Sequence, residues 1–236
     1  MVFGFRFSVF GFRCSALVGI IILAAGFAQA IAAEPEEKTH AHRPLVISPG
    51  EKAKVSLFGI EGEGYKFVFA FDRSGSMDSP GHNALPLVKA ELIKCLETID
   101  SVQQFQIIYY NERPKIFNPT GQPGRLVFGT DQNKTLAAKL INSVVADGGT
   151  AHDDALMLAV KMNPDVIYLL TDGDEPKLGP RQLDRIDRLG AGIIINTIQF
   201  APGAKDDADN FLVKLAKQSG GKYAYVDITK TEKKKD

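Results

Sequence analysis

The chain has 236 residues, enough for one sizeable domain with short additions, and its 44% hydrophobic and 24% charged content is that of an ordinary globular protein. Basic and acidic residues are equal at 28 each, so no basic excess marks a nucleic-acid binder. There are only two cysteines, Cys14 and Cys95, which excludes a disulfide-rich scaffold.

Residues 1–33 read as an export leader. Arg6 and Arg13 lie before an apolar run, Leu17 to Phe27, and Ala28-Gln29-Ala30 supplies a small-x-small cleavage site, with Ala33 a second possible point. The run is shorter than the roughly 20 residues a spanning helix needs, which favours a cleaved leader over a retained anchor and a periplasmic or extracellular destination. Past it the chain carries 26 basic and 28 acidic residues, and Cys95 is its single cysteine. No intrachain disulfide is then possible, and Cys95 reads as a small buried hydrophobe on a helix. Residues 34–53 are polar, with Pro35, Pro44 and Pro49, and read as a linker. His40 and His42 fall inside it without further ligands nearby, so a solvated pair is expected rather than a metal site.

A folded domain is expected over residues 54–229. Val55 to Ile60 suggests an extra strand, and Gly59, Gly62 and Gly64 lead from it into Phe67-Val68-Phe69-Ala70-Phe71. That run is continuous rather than alternating, as in a strand buried on both faces. It ends in Asp72-Arg73-Ser74-Gly75-Ser76, where Gly75 is expected to let the backbone fold back so that Asp72, Ser74 and Ser76 converge. Leu85, Val88, Leu92, Cys95, Leu96 and Ile99 recur at helical spacing, predicting a helix from about Ala84 to Asp100. Gln104 to Tyr110 is the next strand. A turn at Asn111 to Pro114 returns Lys115 to Asn118 as an antiparallel edge strand. Pro119, Gly121, Pro123 and Gly124 form a loop, and Leu136, Leu140, Ile141 and Val144 mark a second helix.

The loop Ala146-Asp147-Gly148-Gly149-Thr150-Ala151 enters a third helix, and Val166 to Leu170 is a strand ending in Thr171-Asp172-Gly173-Asp174. A helix near Arg181 to Leu189, an apolar strand from Gly192 to Ile198, a helix through Phe211, Leu212 and Leu215, and a strand at Tyr223 to Val226 complete the order. Residues 230–236 form a charged tail. Continuous apolar strands alternating with helices define an α/β fold: a doubly wound, mostly parallel central sheet with helices on both faces and one antiparallel edge strand. Such sheets bind ligands beyond the carboxyl ends of their strands, where strand order reverses.

Three oxygen donors at such a strand end suit a hard cation that accepts few carboxylates and keeps several waters. Asp72-x-Ser74-x-Ser76, Thr150 after Gly148-Gly149, and Asp172 in Leu169-Leu170-Thr171-Asp172-Gly173 together resemble the metal-ion-dependent adhesion site of von Willebrand factor type A (VWA) domains. The resemblance covers about residues 64–228 and implies that the strands of Asp72 and Asp172 lie side by side. It also implies that Ser74, Ser76 and Thr150 coordinate Mg²⁺ (or Mn²⁺ or Ca²⁺) through hydroxyls, with Asp72 and Asp172 mostly holding waters or the serines. The implied partner is a protein with an exposed Asp or Glu that fills an open coordination position.

Two other readings compete. A hydrolase would use the same cation as a Lewis acid and needs a base beside it. His152, Asp153, Asp154, Asp174 and His82 are near in sequence. The acids read more simply as helix-start residues favoured by the dipole, His152 as a surface residue and His82 as a loop residue. No nucleophile elbow, P-loop or HExxH motif is present. The third reading is a structural module that binds no metal.

Overall fold

The computed structural model describes residues 51–122, 124–173, 176–205 and 210–232. The expected leader, all but the last three residues of the expected linker (His40 and His42 included), Pro123, Asp174 and the end of the tail lie outside the described residues.

The chain opens with β1 (Ala53–Leu57) and β2 (Ile60–Gly64), antiparallel to each other and alternating buried and exposed positions. The single extra strand expected here is therefore a hairpin. Its two-residue turn, Phe58-Gly59, has positive φ at both positions, 48° and 79°, the mirror-image turn whose twist matches paired strands. Phenylalanine is an unusual occupant of that conformation, which hides the turn from sequence.

The central strand, β3 (Lys66–Asp72), is buried from Phe67 to Asp72. A 3₁₀ turn (Gly75–Met77) and a small hairpin, β4 (Asp78–Ser79) with β5 (His82–Asn83), lead into α1 (Ala84–Glu97), which ends sooner than the spacing predicts. Next come β6 (Gln104–Tyr110), β7 (Pro114–Ile116), β8 (Val127–Phe128), α2 (Asp131–Ser143) and α3 (His152–Lys161). The chain continues through β9 (Val166–Thr171), α4 (Pro180–Leu189), β10 (Ile194–Ala201), α5 (Phe211–Gln218) and β11 (Tyr223–Asp227). A short helix, α6 (Ile228–Glu232), continues past the point where the charged tail is expected to begin.

The main sheet runs β11-β10-β9-β3-β6-β7. The pairings of β11, β10, β9, β3 and β6 are parallel, and both β7 and β8 add antiparallel to β6. From β3 the chain moves to β6 on one side and later to β9 on the other, so strand order reverses between β3 and β9. Alternate residues of β3 feed opposite layers. Phe67, Phe69 and Phe71 join Leu85, Val88 and Leu92 of α1 and Ile141 of α2, while Val68 and Ala70 join Ala155, Leu156 and Leu212 on the other face. Cys95 is buried, as expected.

The hairpin closes over the sheet through Tyr168, fully buried in β9, whose hydroxyl donates to the Val55 carbonyl at 2.7 Å. Gly62 faces that hydroxyl so closely that an added Cβ would lie 2.6 Å from it. Gly62→Ala should therefore lower unfolding free energy by roughly 1–3 kcal/mol through overpacking. Urea denaturation measures it, and a smaller loss for Gly62→Ala in a Tyr168→Phe background than in wild type would identify the hydroxyl as the clash.

Candidate functional site

Asp72 closes β3 with no exposure to solvent. Its Oδ1 accepts from the Ser74 backbone N–H at 2.8 Å and its Oδ2 from the Thr171 hydroxyl at 2.7 Å. Burial pushes its carboxyl up to about pKa 6, with the Asp172 charge adding to the rise and the bonds from Ser74 and Thr171 opposing it. Ser74 is buried, Ser76 half-buried, and their hydroxyl oxygens are 3.1 Å apart. The turn that brings them together is the 3₁₀ turn anchored by buried Met77. Gly75 is not needed for a left-handed backbone there, and a Cβ on it would make only ordinary contact, 3.6 Å from the Gly148 carbonyl. Its visible role is to donate its N–H to that carbonyl at 2.9 Å.

A second bond between the same two loops runs from the Asp147 N–H to the Arg73 carbonyl at 2.8 Å. The loop bearing Thr150 is thus fastened to the Asp72 loop, and Thr150 is half-buried at its end. Two residues read from sequence only as a turn complete the fastening. Buried Asn111 donates through Nδ2 to the Asp147 carbonyl at 3.0 Å, and the Gly149 N–H donates to Glu112 at 3.0 Å. Gly148 has φ of 72°, and a Cβ there would press on both Asn111 and Glu112, so glycine is required. The signal available in sequence was the polar pair directly after a buried strand.

Asp172 follows β9, next to β3, and is buried. Its carbonyl accepts from Gln199 Nε2 at 3.2 Å, and Gln199 Oε1 accepts in turn from Asn210 and Tyr223. Those residues border a cleft of about 520 Å³ that opens beside Asp172 and Gly173. The five sequence candidates therefore occupy three adjoining segments: Asp72, Ser74 and Ser76 on the first, Thr150 on the second, Asp172 on the third.

His152 departs from its sequence reading. It is buried, shares a 3.0 Å hydrogen bond between Nδ1 and the Tyr110 hydroxyl, and packs against the Phe211 ring. The first turn of α3 faces inward there because Tyr110 and Phe211, remote in sequence, build a pocket around the ring. Among the described residues no three His, Cys, Asp or Glu side chains gather into a metal cluster. Across the three segments the candidate donors are hydroxyls and two carboxylates, which suit a hard cation rather than a thiolate or imidazole site.

Residues 67–233 match the model of the von Willebrand factor type A domain, and the chain belongs to that family. VWA domains are general protein–protein interaction modules rather than enzymes as a class. Inter-alpha-trypsin inhibitor heavy chain H4 of Bos taurus is 30% identical over 169 residues, 65% of this chain and 18% of the relative. The Mus musculus inter-alpha-trypsin inhibitor heavy chain 4 is 27% identical over 48% of this chain and 12% of its own length. The chain thus spans less than a fifth of these curated relatives. A von Willebrand factor type A structure from Catenulispora acidiphila superimposes with a TM-score of 0.60 at 22% identity, covering 71% of this chain and 40% of the other. Proximal thread matrix protein 1 from the mussel byssus, with a zinc-occupied metal-ion-dependent adhesion site, gives 0.52 at 20% identity over 71% and 43%. At these identities the structural matches establish the fold.

The Asp72 carboxyl ties metal-free stability to pH. Its folded pKa of about 6 lies above the ordinary 3.8, so between those values the folded chain holds a proton that the unfolded chain has lost. Stability should fall as pH rises through that window, by up to roughly 3 kcal/mol from this group. Urea titrations in EDTA at pH 4.5, 5.5 and 7 should show the decline in wild type relative to Asp72→Asn. Parallel profiles for the two proteins would remove the assignment.

Proposed function

We propose that this is an exported VWA protein that binds a protein partner through a divalent cation, Mg²⁺ with Mn²⁺ or Ca²⁺ as alternatives, held by Ser74, Ser76, Thr150, Asp72 and Asp172. The observation that carries this reading is the double backbone fastening, Gly75 to Gly148 and Asp147 to Arg73, which sets the threonine loop against the serine loop beside the Asp172 strand. Ser74, Ser76 and Thr150 would offer hydroxyl oxygens, with Asp72 and Asp172 as mostly indirect carboxylate partners. Bound there, the cation supplies positive charge that few direct carboxylates neutralise, together with a coordination position for an Asp or Glu of the partner. Asp72 is prepared for that role. Its two oxygens are already oriented by Ser74 and Thr171, and its charged form is disfavoured until a positive charge is near. Metal and partner binding should therefore be coupled.

A non-catalytic role is favoured over the hydrolase reading because His152 is buried against Tyr110 and Phe211 rather than presented as a base. His82, in β5, meets the Phe200 carbonyl at 3.3 Å. Export rests on the Arg6, Arg13 and Leu17 to Phe27 pattern and cleavage near Ala30 or Ala33.

Calorimetry with Mg²⁺, Mn²⁺ and Ca²⁺ should find one cation per chain, and Asp72→Ala should abolish it with the fold retained. A pull-down from native envelope, repeated in EDTA, tests the partner. Binding should vanish with chelation, and Thr150→Ala should weaken it more than it lowers the melting temperature. Equal capture with and without EDTA would reject the mechanism.

A further inference from the structure

Four hydrogen bonds hold residues 147–149 on the amino-terminal side of Thr150: two to the Asp72 loop, one from Asn111 and one to Glu112. On its other side Ala151 precedes α3 without a side-chain cap, and the helix's first residue is His152, 1% exposed. We propose that His152 and Tyr110 form a positioning pair that fixes Thr150 relative to the Asp72 and Asp172 carboxylates. This inference rests on the cation-site reading and names residues outside its ligand set.

Tyr110 is the residue that β6 places directly across from Asp72 in the parallel register, and its carbonyl accepts from the Arg73 N–H at 2.8 Å. Its ring therefore extends from the strand position beside the carboxylate. The whole side chain, hydroxyl included, is buried. At its far end the same hydroxyl meets His152 Nδ1 at 3.0 Å. The imidazole stands edge-on to the Tyr110 ring, with centroids 5.8 Å apart, and the Phe211 ring lies 5.2 Å away. The first turn of α3, which begins two residues after Thr150, is thereby tied to the strand end that carries Asp72.

The chemistry argues for position rather than packing alone. Burying an imidazole and a phenol has a desolvation cost that leucine and phenylalanine would avoid. The shared hydrogen bond offsets that cost only in one relative placement of helix and strand. Partners of this kind, one step removed from a metal's own donors, typically change affinity 10–100-fold when lost.

A double-mutant cycle on the purified chain tests it, with Mn²⁺ affinity by calorimetry and the metal-free melting temperature as separate readouts. Tyr110→Phe and His152→Leu each remove one partner at nearly constant volume and should weaken Mn²⁺ binding about tenfold. The double variant should bind no worse than the weaker single, because the two residues act through one bond. His152→Asn keeps a hydrogen-bonding atom at the δ position and should restore affinity close to wild type. A purely structural pair would lower the melting temperature and leave affinity unchanged, and that result overturns the proposal, as does an additive double variant. If His152→Leu does not fold, Tyr110→Phe and His152→Asn decide between the same outcomes. Wild type that takes up no Mn²⁺ overturns the cation reading itself; wild type that binds alongside equally binding variants overturns this inference alone.

Discussion

Burying the Asp72 carboxylate at the end of a central strand carries a desolvation cost of several kcal/mol in its charged form. The backbone N–H of Ser74 and the hydroxyl of Thr171 meet its two oxygens and offset part of that cost. Much of the surrounding architecture is what those two bonds require. The Ser74 donor demands that the chain turn back at once after β3. The Thr171 donor demands that β9 lie beside β3 in one register, with Phe71 opposite Leu170 and the next pair reaching across the strand ends. A slip by one residue would turn Thr171 to the opposite layer, because side chains alternate along a strand. The same slip would remove Val166, Tyr168 and Leu170 from the layer they share with Phe67, Phe69 and Phe71, so the core and the site select one register together.

The loops beyond the strands obey a related constraint. Successive turns expose backbone donors and acceptors, and buried ones must find partners. Here loop groups find partners across segments even near the surface: the Gly75 N–H at the Gly148 carbonyl, the Asp147 N–H at the Arg73 carbonyl, and the Gly149 N–H at the Glu112 carboxylate. Three segments remote in sequence become one surface without a regular element joining them.

The sheet was legible in sequence because its signal is local, whereas of the five proposed oxygen donors only Asp72, Ser74 and Ser76 are grouped by local spacing, Thr150 and Asp172 being implied by the family resemblance. Continuous apolar strands announce a doubly wound sheet, and Asp72-x-Ser74-x-Ser76 holds its donors within five residues. What escaped depends on contacts between distant residues or on atypical residues in local roles. His152 reads as a surface residue because its burial is decided by Tyr110, 42 positions earlier, and by Phe211. Asn111 and Glu112 looked like an ordinary turn because the loop they secure lies more than 30 residues away. The β1–β2 hairpin was read as one strand because Phe58 occupies a backbone conformation usually left to glycine or asparagine. Gly75 was credited with a conformational role that belongs to Gly148.

The pairing of β3 with β9 joins residues 99 apart, as the Thr171–Asp72 bond does. Contacts of that separation close a longer loop than the pairing of β3 with β6, which sets Asp72 beside Tyr110. A nascent or half-unfolded chain can therefore hold Asp72, Ser74 and Ser76 yet lack Thr171, Asp172 and the neighbour that orients the carboxylate. The ligand engagement proposed for the site would therefore report that β9 has paired with β3, because only that pairing brings Thr171 and Asp172 to Asp72.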